Sequence, residues 1–260
     1  MTRLLRQIRL KQIGNKAAKK YLLYAVGEIV LVVIGILIAL QISNWNETAK
    51  NQSLERKILR ELRQELVTNK AELDDLINDR NLSLQVCYAL LPSFQSGRNV
   101  LDPDQISSIL AQVSPYRVTI APSDGSRVDS LIGSLPSYVM FFPRIGNIKS
   151  IIYSGKLDLI SNPSIKLCIA EFEDRVAGVK VATEGADRIM AEEIQLAMRS
   201  YLRETGSYPL DQIFDDYDLH FNIRNYLGWT TAAISTSMGF SEVMEAAIAS
   251  IDEELPRQIE

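Results

Sequence analysis

Residues 21–42 read YLLYAVGEIVLVVIGILIALQI, an apolar run broken by a single charge at Glu28. Apolar character over this length predicts a membrane-spanning helix. At ~1.5 Å of rise per residue the run reaches about 33 Å, against a hydrocarbon core of ~30 Å. Fourteen of the residues at positions 22–42 are Leu, Ile or Val. Together they favour insertion by about 6 kcal/mol, and Glu28, lying off-centre, opposes it by about 2 kcal/mol. A cleaved signal peptide fits less well, because its apolar region covers about 7–15 residues and a small-x-small site follows. Here the run ends in Gln41-Ile42-Ser43-Asn44-Trp45, which reads as an uncleaved signal anchor.

Past Trp45 the period changes. Leu54, Ile58, Leu62, Leu66, Leu73, Leu76 and Ile77 recur at helical steps between charged residues, predicting one long helix over residues 46–91. Asn69 alone interrupts the apolar stripe, and Pro92 is expected to end the helix. Arg60, Glu61 and Glu65 read as parts of solvated faces. Residues 92–143 then hold six of the chain's nine prolines. Short helices are predicted after Asp102-Pro103 and over residues 126–135, with a brief extended segment at 117–121. This stretch reads as a cap closing one end of a bundle, although loops of such size also carry function.

Helical pattern resumes near Ile145 and stops at Gly155, suited to a helix C-terminus. Asn162-Pro163 opens the next helix, running through Phe172, Val179, Ile189, Met198 and Leu202 until Gly206 and Pro209, with a weak middle expected at Gly178 and Gly185. A final helix is predicted over residues 221–255, ended by Pro256 and bent near Gly239. The fold class that follows is all-α: one N-terminal transmembrane helix, then an extracytoplasmic helical bundle of four-helix type with a Pro-rich irregular cap. The domains are a basic leader at 1–20, the membrane helix at 21–43 and the exported region at 44–260, with its insertion at 92–143.

Charge sets the expected direction. Arg3, Arg6, Arg9, Lys11, Lys16, Lys19 and Lys20 precede the span with no acidic residue among them, so the positive-inside rule keeps the N-terminus in the cytoplasm and exports the rest. In a bacterium this is the inner membrane, with the bundle in the periplasm. Leu4, Leu5 and Ile8 give the leader an apolar stripe suited to the anionic inner leaflet. A basic flank beside a span is topogenic, so no nucleic-acid partner is expected. Of 28 Lys+Arg and 32 Asp+Glu, the seven leader cations removed leave 21 against 32, a mildly acidic remainder.

The block KYLLYAVGEIVLVVIGILIALQISNWNE at residues 20–47 resembles the signature of a bacterial family of uncharacterised single-pass membrane proteins, catalogued as a domain of unknown function. The family is similar again at Ser154-Gly155-Lys156-Leu157, a turn placed before a long helix. The resemblance covers both ends of the architecture and is poor over residues 92–143. It implies topology and a helical exported domain, and it implies no activity, cofactor or site residue.

Glu28, Gly35 and Ala39 fall near one helical face. An intramembrane carboxylate beside a small-x-x-x-small pair suggests a contact surface for another membrane helix. The plainer alternative is a Glu28 that snorkels to the headgroups. Gly155-Lys156 fails as a phosphate loop, because Ser150 stands where the first Gly is needed and Leu157 where Ser or Thr is needed. Asp211, Asp215, Asp216, Asp218 and His220 form a dense polar cluster. It lacks the calcium-loop pattern and reads as an acidic segment favouring the N-terminus of the final helix. His220 is the single histidine, against a multi-histidine zinc site. Cys87 and Cys168 read either as buried thiols or as a disulfide closing a long loop. No catalytic or cofactor motif emerges and no cofactor is expected. The expected function is a non-enzymatic interaction or scaffolding module. Its partners are the lipid bilayer and either its own copies or another membrane protein. A ligand-sensing input module is the alternative, and an envelope enzyme has the least behind it.

Overall fold

The computed structural model describes residues 2–112, 140–206 and 208–255, and among these no strand occurs. The helices are α1 (Thr2–Ser96), α2 (Pro103–Gln112), α3 (Gly146–Tyr153), α4 (Pro163–Arg188), α5 (Gln195–Thr205), α6 (Leu210–Asp215) and α7 (Tyr217–Glu254). A 3₁₀ turn at Lys156–Leu159 leads into α4, and a π turn at Ile189–Ile194 joins α4 to α5. The expected helix at 126–135 and extended segment at 117–121 lie outside the described residues.

Two compact units divide the chain, Met1–Arg56 and Lys57–Glu260. Residues 44–56, expected to start the exported domain, thus belong with the first unit. Among its described side chains, Leu23, Leu31, Ile36 and Leu40 are all exposed, and the segment is long and apolar enough to cross a membrane.

The second unit is a helical bundle. α1 and α7 are antiparallel: Arg63 meets Asp252, Lys70 meets Glu245, Asp74 meets Ser241 and Phe94 stacks on His220. α4 is antiparallel to α7 as well, since Phe172 meets Phe240 at 5.0 Å and Gly185 meets Trp229. α3 runs against α1, with Arg144 beside Asn69 and Asn147 beside Glu65 and Glu61. The order is therefore up, down, up, down. α3 fills the second position at one end, and α2 lies at the other, where Ile106 and Ile109 join Val86, Leu90 and Phe94 in the core.

Local signals set most boundaries. Asn162 caps α4, its side chain accepting from the Ser164 and Ile165 amides with Pro163 at the first position. Gly155 and Gly206 end their helices at φ +69° and +75°, backbone that side-chain-bearing residues avoid. Pro92 does not end α1, which continues to Ser96. A proline this near the terminus forfeits one hydrogen bond, and Phe94, 5 % exposed within the core, holds the last turn in place. The helix ends in a Schellman turn, with Gly97 at φ +63° and the Arg98 amide donating to the Ser93 carbonyl at 3.2 Å.

Nor does the helix after Asn162 weaken at its glycines. α4 passes Gly178 and Gly185 in regular geometry and loosens at Ile189–Ile194. Gly185 serves close approach: a Cβ there would meet the Trp229 ring at 2.3 Å.

Candidate functional site

In the first unit Glu28, Gly35 and Ala39 are exposed, and a Cβ placed on Gly35 would meet nothing within 4 Å. At 100° per residue the three positions fall within about 40° of arc. The helix thus displays one carboxylate and two small residues along a narrow stripe, unpartnered within its own unit. In a bilayer such a stripe permits close backbone approach by a second helix and offers a hydrogen-bond acceptor to it.

The second unit holds a different feature, which sequence reasoning missed. Midway along the bundle, apolar packing gives way to polar side chains. Arg80 is 1 % exposed, and its Nη2 donates to Asp187 Oδ1 at 2.6 Å, linking α1 to α4. Its Nε and Nη1 are buried without a hydrogen-bond partner, as is the hydroxyl of Ser237 on α7, while Tyr226 on α7 is hydrogen-bonded with Ser83 and Thr230. Burial pushes the Asp187 carboxyl up, and the Arg80 guanidinium offsets this in part. Burial also pushes Tyr226 up, despite Ser83 and Thr230 nearby. Arg80 stands at helical spacing from Leu73, Leu76, Ser83 and Cys87 on the buried face of α1. That register was the signal in the sequence; a charge on the apolar stripe needs a partner from elsewhere in the fold.

Two further α1 residues face inward as polar groups. Glu65, expected on a solvated face, is 8 % exposed, and its carboxylate accepts from the Asn147 and Ile148 amides at 2.8 and 3.1 Å. It satisfies the free amides at the start of α3, where a negative charge also suits the helix dipole. Asn69, whose amide interrupts the stripe, is fully buried against Arg144.

Of the acidic cluster, Asp216 caps α7, the final helix whose N-terminus the cluster was expected to favour. The Asp216 side chain accepts from the Leu219 amide at 2.9 Å, and Asp211 and Asp218 stand in the first turns of α6 and α7. The Tyr201 hydroxyl donates to Asp216 at 2.8 Å and is pushed up to about 12, first by burial and then by that carboxylate. Gly155 turns the chain from α3 into the 3₁₀ turn that carries Lys156. Among the described residues no group of three His, Cys, Asp or Glu is placed to hold a metal ion.

The disulfide alternative is not realised. Cys87 and Cys168 are free thiols, both buried. Cys87 sits in the core cluster with Leu90, Phe94 and Tyr226, while Cys168 lies outside that cluster on the first turns of α4. Burial pushes both thiols up, Cys168 to about 11.

A chain of this build, with one apolar membrane-length helix before an all-helical bundle, matches the family of unknown function DUF6090 over residues 28–185. The protein belongs to that family. The match spans residues 28–185 and ends at Gly185, before the π turn and α7. No curated protein and no solved structure matches the chain.

Proposed function

We propose that this is a single-pass envelope protein, N-terminus in the cytoplasm and bundle in the periplasm, that works without catalysis by binding its own copies through the membrane helix. One observation carries the reading: Glu28, Gly35 and Ala39 share an exposed stripe that nothing in their own unit covers. A carboxylate facing the acyl chains is costly, and the small residues beside it let a second copy pack closely enough to shield it from them. The seven cations before residue 21 support the direction.

Crosslinking of the full chain in native membranes tests it. A reproducible dimer that is lost in Gly35→Leu and weakened in Glu28→Gln is the expected result. Recovery as a monomer, or a dimer indifferent to both substitutions, overturns self-association. A reporter fused after Glu260 that is active in the cytosol overturns the topology.

A further inference from the structure

The polar layer divides the bundle into two ends of different construction. The end holding Lys57 and Glu254 is cross-tied: Arg63 to Asp252, Lys70 to Glu245, Asp74 to Ser241, Asn69 to Arg144, and Glu65 to the start of α3. The other end holds Ser96 and Tyr217 and is assembled from short pieces. α2 has 10 residues and α6 has 6, and glycine turns at Gly97 and Gly206 stand beside them. Its apolar cluster runs through Val86, Cys87, Leu90, Phe94, Met190 and Phe214.

Between the two ends lie Arg80, Asp187, Tyr226, Thr230 and Ser237. Three of their polar atoms are buried without a hydrogen-bond partner: Arg80 Nε and Nη1 and the Ser237 hydroxyl. Groups in that state favour any opening that brings water to them. The π turn begins two residues after Asp187. Such turns carry a weaker hydrogen-bond ladder than the α-helix around them and often mark places where a helix yields.

We infer that the bundle parts at this layer, its short-helix end opening as one cooperative unit, with the π turn as hinge, while the cross-tied end stays folded. Opening brings water to the two unpartnered guanidinium nitrogens of Arg80 and breaks none of the cross-ties named above. Proteins commonly open in such contiguous units.

The chain carries its own reporters. Cys87 lies in the short-helix end at 0 % exposure and Cys168 in the cross-tied end at 2 %. Both are shielded when folded, and each thiol regains ordinary reactivity only when its own end opens, so their labelling ratio reads which end opens. The full chain in detergent micelles is treated with N-ethylmaleimide without denaturant, and each cysteine is followed by peptide mass spectrometry. Cys87 is expected to react at least about ten-fold faster than Cys168, the factor that one relieved buried polar group supplies. Equal rates, which mean global unfolding, or faster reaction at Cys168, overturn the inference. The double variant Arg80→Met/Asp187→Leu closes the layer with apolar side chains and is expected to bring the ratio toward one. An unchanged ratio in the folded variant overturns the polar layer as the parting plane. If the variant does not fold, the wild-type comparison still decides.

Discussion

Asn69 holds the main chain of Arg144 from both sides: its Oδ1 accepts from the Arg144 amide at 2.8 Å, and its Nδ2 donates to the Arg144 carbonyl at 2.7 Å. The side chain thus completes the backbone pairing of a segment that has no helix or strand to pair it. That segment leads directly into α3. Four residues earlier on α1, Glu65 takes the Asn147 and Ile148 amides. Asn69 and Glu65 together fix where α3 begins.

Asn69→Leu is therefore expected to destabilise the protein although it perfects the apolar stripe. Both backbone groups of Arg144 lose a partner in a part-buried place, at a cost of about 2–3 kcal/mol. Thermal or urea unfolding of the full chain in detergent measures it. A neutral or stabilising effect shows that water serves Arg144 equally well.

Gly178 and Gly185 lie on one helix and are expected to respond to alanine in opposite ways. At Gly178 a Cβ meets the Thr236 methyl at 3.6 Å, an ordinary contact, so Gly178→Ala gains helix propensity of about 0.5–1 kcal/mol. At Gly185 the new Cβ lies inside the Trp229 ring contact. Gly185→Ala must displace α7 or swing the indole outward, costing about 1–3 kcal/mol. A shift in Trp229 fluorescence should accompany the loss, and Gly185→Ala/Trp229→Ala should recover part of it.

The architecture was legible wherever the cause is local. Apolar length marks the membrane helix, and Asn162-Pro163 and the φ-positive turns at Gly155 and Gly206 mark helix ends within a residue or two. What escaped depends on distant partners. Nothing near Asn69 announces Arg144, 75 positions away, and Glu65 looks like any helix-surface acid until α3 is placed over it. Pro92 carries a strong stop signal that loses to the burial of Phe94. The π turn falls in IMAEEI, residues that individually favour an ordinary α-helix, so its cause is tertiary. Arg80 was the readable case, since its register on the buried stripe is visible without the fold.

Acid should loosen the cross-tied end of the bundle. Arg63's hydrogen bond holds the Asp252 carboxyl below the usual range; for Asp74, burial pushes upward but the Lys70 and Ser241 hydrogen bonds outweigh it. In the window between each lowered value and the ordinary one the unfolded chain binds more protons. The stabilisation from these two groups is thus complete above the ordinary carboxylate range and is lost as pH falls through the lowered values. Asp187 has the opposite sign. Its raised value makes the folded state the better proton acceptor, so its contribution declines as pH rises from the ordinary value to the raised one. Melting temperature against pH in Asp74→Asn should show a flattened acid limb. In Asp187→Asn the limb should persist while the decline just above it disappears.

The Arg80–Asp187 pair should prove valuable only as a pair. Asp187→Ala strands a guanidinium that is 1 % exposed, already short of partners at Nε and Nη1. Removing one member of a buried pair costs about 3–5 kcal/mol, and less here because Asp187 retains 23 % exposure. Replacing both residues, as Arg80→Met/Asp187→Leu, removes the burial penalty together with the attraction, and buried pairs so treated are often neutral or more stable. The expected order of unfolding midpoints is therefore the double variant at or above wild type, with Asp187→Ala well below both. If the double variant falls as far as the single one, the pair is a true source of stability, and the Nε and Nη1 groups of Arg80 are better hydrated than their burial implies.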